Sequence, residues 1–281
     1  MLIFNNKADL ISHLSTYKNN KSTIGFVPTM GALHKGHLSL LEKSFQENII
    51  TVISIFVNPT QFNNQEDLKK YPRTLEADVE KIKTVSDAII VFAPSVDEMY
   101  DGNTESAHFS FDGLEYQMEG SHRPGHFDGV GTIVKKLFEI VKPTNAYFGE
   151  KDFQQLQIVK KLVQKTGMPI NIVGCPISRE ENGLAMSSRN GRLTDEEKNK
   201  AAFIYKTLKE AREKFVNESI EAVKKYVYDA FSTHPEFKMD YFEIAAEDDL
   251  VPANTKDNKE YRGFIAVFLS NVRLIDNISL N

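Results

Sequence analysis

The chain reads Thr23-Ile24-Gly25-Phe26-Val27-Pro28-Thr29-Met30-Gly31-Ala32-Leu33-His34-Lys35-Gly36-His37, a short apolar run that ends in a loop with glycine and histidine. The next residues, 38–46, have the spacing of an amphipathic helix. A strand, a loop and a helix in this order begin a βαβ unit, in which the strands are parallel. The stretch therefore predicts an α/β fold.

The same alternation recurs through the first two-thirds of the chain. Near-continuous apolar runs predict strands over Thr23–Val27, Ile49–Val57, Ala88–Phe92, Ala146–Phe148 and Ile170–Val173. Amphipathic spacing predicts helices over Leu38–Gln46, Leu75–Val85, Val130–Ile140 and Phe153–Thr166. Buried parallel strands have this composition, so we expect a parallel sheet that is covered on both faces. Residues 105–111 predict an extra strand or hairpin outside the alternation.

The pattern changes after about Arg179. Thr194 and Glu197 have the spacing of a capping box, which predicts a long helix that ends near Phe215. The pattern then predicts a helix over Ser219–Phe231 and strands over Tyr241–Ile244, Phe264–Leu269 and Arg273–Ile278. This is a smaller α+β region, and it places a domain boundary near residues 177–179.

Composition limits the class of protein. The 281 residues include 39 acidic and 34 basic side chains, and the formal charge of −5 argues against a broad nucleic-acid-binding surface. The single cysteine, Cys175, excludes a disulfide framework and lies in an apolar strand, where a buried thiol is expected. There is no signal-peptide core and no apolar stretch of about 20 residues. We therefore expect a cytoplasmic enzyme with no membrane or nucleic-acid partner.

His34 and His37 follow the first predicted strand, three residues apart, so that they share one face of a helix start. Gly36 lets a ligand approach the backbone, and the free N–H groups of the first helical turn favour an anion. Because this positive end disfavours imidazolium, we expect neutral histidines that donate hydrogen bonds to phosphate oxygens. Two alternatives are a helix-capping loop with incidental histidines and a two-histidine metal site, although the zinc motif has its histidines four apart with a glutamate between them.

Three further polar stretches lie at predicted strand ends or beyond the boundary. Asn58 and Gln61 carry amides that suit a small ligand with hydroxyl and carboxylate groups, or they satisfy a turn. Lys151 and Asp152 suit triphosphate and its magnesium ion, or a solvated helix start. Residues 186–190 read Met-Ser-Ser-Arg-Asn, which suits a loop that closes on polyphosphate or a polar interdomain loop. The sequence has no P-loop, dinucleotide fingerprint or serine-hydrolase elbow.

The ordered set of motifs resembles the pantothenate synthetase (pantoate–β-alanine ligase) family along essentially the whole chain. The segments that carry the resemblance are Pro28–His37, Phe56–Phe62, Tyr71–Thr74, Arg123–Phe127, Gly149–Asp152, Met186–Asn190 and Arg273–Asn277. With it, the expected fold is a Rossmann-like parallel-sheet nucleotide-binding domain over residues 1–177, followed by a smaller α+β lid domain over residues 178–281. The implied reaction joins (R)-pantoate to β-alanine through a pantoyl adenylate, with ATP as a substrate and Mg²⁺ as cofactor.

The resemblance also implies roles for individual residues. The ATP site would comprise Met30, Gly31, Ala32, Leu33, His34, Lys35, Gly36, His37, Gly149, Glu150, Lys151, Asp152, Ser178, Met186, Ser187, Ser188 and Arg189. His34 and His37 would stabilise charge near the α-phosphate, with His37 as proton donor. Lys151 and Arg189 would neutralise the leaving pyrophosphate. Gln61 and Gln155, with Asn58 nearby, would hold pantoate, and Asp78 or Asp152 would bind magnesium.

One position departs from the family pattern, because Thr60 stands where members often carry methionine or leucine. The resemblance further implies a homodimer. Two other classes stay open: a His-x-Gly-His nucleotidyltransferase that acts on a phosphorylated metabolite, and a nucleic-acid-binding module related to the aminoacyl-tRNA synthetases. The uncharged Asn58, Gln61 and Gln155 count against the first, and the acidic balance counts against the second.

Overall fold

The structure is a computed structural model that describes residues 1–18 and 22–281. The chain divides into two compact units. The first comprises Met1–Glu115, Gly120–Glu150 and Gln155–Pro176, and the second comprises Tyr116–Glu119, Lys151–Gln154 and Ile177–Asn281. Two short segments of the first 176 residues, Tyr116–Glu119 and Lys151–Gln154, therefore belong to the second unit. A single domain boundary along the sequence does not predict this.

The parallel sheet of the first unit has six strands. They are β1 (Leu2–Phe4), β2 (Ile24–Thr29), β3 (Ile50–Ile55), β4 (Ile90–Phe92), β5 (Asn145–Gly149) and β6 (Asn171–Cys175). The order across the sheet is β1-β4-β3-β2-β5-β6, and every neighbouring pair is parallel. This confirms the α/β prediction.

Eight helices begin in the described part of the first 176 residues. They are α1 (Lys7–Lys18), α2 (Lys35–Glu47), α3 (Gln65–Lys70), α4 (Leu75–Lys83), α5 (Val96–Tyr100), α6 (Met118–His122), α7 (His126–Val141) and α8 (Phe153–Thr166). Short 3₁₀ turns occupy Pro59–Gln61, Leu114–Tyr116 and Glu150–Asp152. Helices α2 and α4 pack on the sheet through Leu41 and Ile82, which are fully buried with Val27 and Ile53 of the strands. Cys175 is buried, as predicted, and burial raises its thiol pKa to about 11.

The strand order reverses at β2. From β2 the chain proceeds outward through β3 and β4, and later returns to the other side of β2 to form β5 and β6. Ligands of open α/β sheets bind beyond the carboxyl ends of the strands at such a reversal. The loop after β2, which begins at Met30, and the residues after β3 and β5 therefore lie where a ligand is expected.

Residues 105–111 do not form the predicted strand or hairpin. They have no regular secondary structure, and the N–H groups of Ala107 and Phe109 donate to Thr132 Oγ1 and Asp128 Oδ1 of α7, at 2.9 Å each. Side chains of a helix thus take the place of a partner strand. Strand β1 was not predicted, because three residues are too few to show a periodicity.

The second unit contains an antiparallel sheet covered by helices. Its elements are α9 (Asp195–Phe215), α10 (Ile220–Ser232), β7 (Phe237–Ala246), β8 (Tyr261–Leu269) and β9 (Val272–Ser279), in sheet order β7-β8-β9, with a 3₁₀ turn at Ser188–Arg192. The predicted capping box is confirmed: Thr194 Oγ1 accepts the Glu197 N–H at 3.2 Å, and Glu197 Oε2 accepts the Thr194 N–H at 2.8 Å. Among the described helices, none is long and apolar enough to cross a membrane.

Candidate active site

The loop after β2 contains two consecutive residues in the left-handed region. Gly31 has φ +79° and Ala32 has φ +49°. A Cβ atom at Gly31 would also lie 3.0 Å from Asp78 Oδ2 and from Ile55 Cγ2, so that only glycine fits. Alanine in this conformation is strained, and such strain persists only where surrounding contacts hold the backbone.

Helix α4 supplies those contacts. The two carboxylate oxygens of Asp78 accept the N–H groups of Ala32 and Leu33 at 2.8 and 2.7 Å. One helical turn later, Lys81 Nζ donates to the Leu33 carbonyl at 2.7 Å. Asp78 has no exposed surface, and its Oδ2 also accepts the Thr74 hydroxyl at 3.2 Å. The carboxylate therefore holds the loop that leads into the histidine motif.

His34 and His37 meet at the start of α2. His34 is the N-cap residue, and the two imidazole centroids are 4.0 Å apart. His37 Nδ1 accepts the His34 N–H at 3.3 Å, so the neutral His37 ring carries its proton on Nε2. The positive end of the helix disfavours a charged ring here. His37 is thus prepared to donate one hydrogen bond from Nε2 to an anionic oxygen.

The amides of Asn58 and Gln61 form a buried pair beyond β3. Asn58 Nδ2 donates to Gln61 Oε1 at 3.2 Å and to the Gly129 carbonyl at 3.1 Å. Gln61 Nε2 lies 3.0 Å from Met30 Sδ in the loop after β2. The exposed fraction is 1% for Asn58 and 8% for Gln61. The predicted substrate amides therefore form one network with the loop that precedes the histidines.

The start of α7 fixes the backbone of Gln61. Its carbonyl accepts a hydrogen bond from His126 Nδ1 at 2.8 Å and another from Arg123 Nη2 at 3.2 Å. Gly129, one turn into α7, must lack a side chain because a Cβ atom would lie 2.4 Å from the Thr60 carbonyl oxygen. Helix and turn can approach this closely only with glycine at residue 129.

In the second unit, a short hairpin holds residues 178–186. Arg179 and Ala185 form an antiparallel bridge, and the Met186 N–H donates to the Ser178 carbonyl at 2.9 Å. Arg179 makes a forked ion pair with Asp276 of β9, at 2.6 and 2.9 Å. Its guanidinium also lies over the Tyr205 ring, 3.5 Å from the centroid. The last strand of the chain thus holds the hairpin that leads into residues 186–189.

Ser187, Ser188 and Arg189 continue from this hairpin into the 3₁₀ turn. Ser187 Oγ accepts the Arg189 N–H at 3.2 Å, and Asn190 Nδ2 donates to the Ala185 carbonyl at 3.0 Å. Asn190 is buried, whereas residues 186–189 are half-buried. Serine and arginine groups are therefore presented on a loop with a fixed base.

Lys151 is also tied to β9. Its carbonyl accepts the Asn277 Nδ2–H at 2.9 Å, and Arg262 Nη1 donates to Asn277 Oδ1 at 2.7 Å. The Lys151 ammonium lies 3.6 Å from the half-exposed carboxylate of Asp152. Two consecutive residues, Asp276 and Asn277, thus hold two separate predicted ATP segments within the second unit.

The remaining predicted residues lie at strand ends of the first unit. Gly149 ends β5 and Glu150 begins the 3₁₀ turn after it, while Lys35 and Gly36 lie in the first turn of α2. Gln155 is half-buried in the first turn of α8. Because β5 neighbours β2, the end of β5 lies beside the histidine loop. This is the geometry expected of a nucleotide site at a strand reversal.

The two predicted magnesium ligands fit that role unequally. Asp78 does not fit, because both of its oxygens accept backbone N–H groups and the side chain is fully buried. Asp152 fits, since its carboxylate is half exposed beside Lys151. Within residues 1–18 and 22–281, no three His, Cys, Asp or Glu side chains are grouped so that they could hold a metal. Any ion would therefore rely on oxygens of the nucleotide as well.

Sequence reasoning missed several residues that hold the site. Tyr100 donates to Asn58 Oδ1, His126 to Gln61, and Arg179 and Asp276 fix the hairpin. His126 and Asp276 lie within two of the motifs that carry the family resemblance, so the sequence marked their segments but did not predict what these two side chains do. Tyr100 carried no signal, because a tyrosine at the end of a short helix is typical of ordinary core packing.

Comparisons with known proteins agree on one family. The sequence profile described as pantoate-beta-alanine ligase matches residues 2–279. A pantothenate synthetase of Flavobacterium psychrophilum is 61% identical over 281 residues, with 100% of both chains covered. One from Bacteroides fragilis is 48% identical over 279 residues, covering 99% of this chain and 98% of that one.

Solved structures give the same result. The crystal structure of pantothenate synthetase from Thermus thermophilus has a TM-score of 0.92 and 40% identity, covering 100% of this chain and 99% of that one. The Francisella tularensis pantoate-beta-alanine ligase, solved in complex with beta-gamma ATP and beta-alanine, has a TM-score of 0.83 and 36% identity, covering 100% and 98%. The chain therefore belongs to the pantoate-beta-alanine ligase family.

Proposed function

We propose that this chain catalyses the ATP-dependent condensation of (R)-pantoate with β-alanine to pantothenate, with release of AMP and pyrophosphate. The observation that carries the proposal is the arrangement around β2. The adjacent pair His34–His37 follows β2, the amide pair Asn58–Gln61 follows β3 on one side of it, and the end of β5 lies on the other. A phosphate-binding helix start and a neutral polar pocket thus lie at one edge of the sheet.

In the first step, a pantoate carboxylate oxygen attacks the α-phosphorus of ATP, and the bond to the β-phosphate oxygen breaks. Negative charge grows on the α-phosphate, where a hydrogen bond from His37 Nε2 stabilises it. In the second unit, Lys151 and Arg189 neutralise the pyrophosphate that leaves. Catalysis by charge stabilisation and positioning needs no protein nucleophile.

In the second step, the β-alanine amine attacks the acyl carbon of pantoyl adenylate. The acyl C–O bond breaks, AMP leaves, and the amine loses a proton as the amide forms. Gln61 and Gln155 hold pantoate, with Asn58 behind Gln61. The polyphosphate loop at residues 186–189 keeps water from the acyl adenylate, which would otherwise hydrolyse.

The proposal includes Mg²⁺, a homodimer and a cytoplasmic location without membrane or nucleic-acid partners. Asp152 is the carboxylate that would hold the ion, together with the phosphate oxygens, and the ion would supply charge neutralisation. Light scattering of the purified protein tests the dimer. Activity measured against Mg²⁺ concentration, for wild type and Asp152→Asn, tests the ion: the variant should need more Mg²⁺.

The experiment that tests the reaction is exchange of labelled pyrophosphate into ATP, with Mg²⁺ and without β-alanine. Exchange that requires pantoate supports an acyl-adenylate half-reaction. His37→Ala should slow it about 10²–10³-fold, the effect of losing one charge-stabilising donor. Absence of exchange, together with no AMP release after β-alanine is added, would contradict the proposed substrate.

A further inference from the structure

Two hydroxyl groups contact the Asn58 side of the amide pair. Tyr100 OH donates to Asn58 Oδ1 at 2.6 Å, and Thr60 Oγ1 donates to the same oxygen at 3.2 Å. The two hydroxyls are themselves 3.0 Å apart. Tyr100 and Asn58 are 3% and 1% exposed, so this contact is shielded from water. Neither hydroxyl has a role in the reaction described above.

The direction of the hydrogen bonds made by the two amides is fixed, whereas either hydroxyl could be the donor between Tyr100 and Thr60. The Gly129 backbone carbonyl can only accept, so the end of the Asn58 amide that faces it, at 3.1 Å, must be Nδ2. The opposite end, Oδ1, must then receive the hydroxyl donors. The second hydrogen of Asn58 Nδ2 is donated to Gln61 Oε1 at 3.2 Å. Both amides are thereby held in one orientation.

The consequence appears at Gln61. Since Oε1 accepts from Asn58, Nε2 is the end left to face a ligand. Its one contact in the described network is Met30 Sδ at 3.0 Å, and a thioether is a weak acceptor. Gln61 therefore offers N–H donors, which match carboxylate or hydroxyl oxygens, and it does not offer its own oxygen.

The hydroxyl of Tyr100 stays a donor over the working range of pH. Burial raises the pKa of Tyr100 above its ordinary value, so that the phenol remains protonated in neutral solution. Thr60 adds a second donor at the position where the family pattern often has an apolar side chain. If residue 60 were apolar, Tyr100 alone would complete the Asn58 oxygen.

We propose that Tyr100 and Thr60 are positioning residues that, together with the Gly129 carbonyl, hold the Asn58–Gln61 pair in one polarity, so that Gln61 presents donors to the oxygens of a hydroxy acid. The inference rests on the proposed function for the identity of that acid, pantoate. The polarity itself is a property of the ligand-free protein.

The test compares Tyr100→Phe with Tyr147→Phe. Both remove a buried hydroxyl that is hydrogen-bonded to an asparagine. The Tyr147 hydroxyl accepts from Asn48 Nδ2 at 2.7 Å and donates to Glu47 Oε2 at 2.8 Å, and neither partner belongs to the Asn58–Gln61 pair. Tyr100→Phe should raise the KM for pantoate about three- to tenfold, the effect of one neutral hydrogen bond, with the KM for ATP within about twofold of wild type. Tyr147→Phe should leave both constants near wild type. Thr60→Val should raise the KM for pantoate less, and Thr60→Ser should restore it.

A double-mutant cycle separates this role from a merely structural one. If Tyr100 acts through Gln61, then adding Tyr100→Phe to Gln61→Ala should cause no further rise in the KM for pantoate. Additive effects, or equal effects on ATP and pantoate, would overturn the proposal.

A measurement without substrate keeps this inference distinct from the proposed function. In ligand-free protein, Tyr100→Phe should shift the NMR signals of the Asn58 and Gln61 side-chain amides, and Tyr147→Phe should not. Unshifted signals would overturn the polarity proposal even if pantothenate is made. Shifted signals without pantoate-dependent exchange would support it while the proposed function failed.

Discussion

The two units hold their candidate residues in different ways. In the first, neutral groups and the charged side chains of Asp78, Lys81 and Arg123, which bond to backbone groups, hold the histidine loop and the amide pair. The contacts to Asp78 span 45 and 46 residues of sequence. In the second, charged side chains and one amide of the terminal strand hold the nucleotide segments. The Arg179–Asp276 and Lys151–Asn277 contacts span 97 and 126 residues. Motifs with similar predicted chemistry thus depend on contacts that differ in sequence separation and in whether they include an ion pair between two side chains.

The difference teaches where each part of the site is vulnerable. Substitution of one partner of a buried ion pair is strongly destabilising, because the remaining charge is left without a partner in a poorly solvated place. In a network of neutral groups, one substitution removes about one hydrogen bond and therefore has a smaller effect. The Arg179–Asp276 ion pair of the second unit should therefore respond to substitution mainly through stability, and contacts made by neutral groups mainly through substrate constants. Four substitutions test this contrast.

The largest effect is expected from Asp276→Ala. It leaves Arg179 without its forked partner, and we expect a loss of about 3–5 kcal/mol in the free energy of unfolding. Denaturant unfolding measures it. As control, Asp276→Ala combined with Arg179→Met removes the unpaired charge and should recover part of the loss. If the unfolding free energy of Asp276→Ala were within about 1 kcal/mol of the wild-type value, the expected difference between the two units would be contradicted.

Asp78→Ala comes next, in the first unit. The buried N–H group of Leu33 and the partly buried one of Ala32 lose the Asp78 oxygens, and we expect a loss of about 1–3 kcal/mol in unfolding free energy with a raised KM for ATP. Asp78→Asn retains one acceptor oxygen and should lose less. The Mg²⁺ concentration for half-maximal activity should stay unchanged in both. A shifted Mg²⁺ requirement in a stably folded variant would return Asp78 to the metal site.

Asn277→Asp sharpens the second-unit half of the comparison. Aspartate keeps an oxygen for Arg262 but cannot donate to the Lys151 carbonyl. Thermal stability should change little, and the KM for ATP should rise about two- to tenfold, the value of one hydrogen bond. The KM for pantoate serves as internal control. If neither KM changes, Asn277 has no part in placing Lys151.

Thr194→Ala should give the smallest effect and none on substrate constants. Loss of the N-cap costs about 1 kcal/mol of unfolding free energy. Hydrogen bonds from Ser270 and Thr194 lower the pKa of Glu197 below its usual value, so this stabilisation is complete at neutral pH and is lost as pH falls through the lowered pKa. Urea unfolding at neutral and acid pH measures both parts. If Thr194→Ala lost more unfolding free energy at acid pH than at neutral pH, the predicted pH dependence would be wrong.

Much of the fold was predictable because short-range patterns encode it. The apolar runs of β2 to β6 predicted a parallel sheet, and Thr194 with Glu197 predicted the start of α9. Patterns failed where a segment was too short, as in β1, or where its partner was unexpected. Residues 105–111 have the composition of a strand, but Thr132 and Asp128 of a helix accept the N–H groups of Ala107 and Phe109.

The identity of the candidate groups was also available from sequence, and their supports were not. Histidines at the end of one strand and amides at the end of the next predict a polar site at one sheet edge whatever surrounds them. Only the tertiary structure shows that Asp78 holds a strained loop, and that Tyr100 donates a hydrogen bond to an amide 42 residues away. The physical reason is range: periodicity records neighbours three or four residues apart, whereas burial and hydrogen-bond direction depend on partners that only the completed fold brings together.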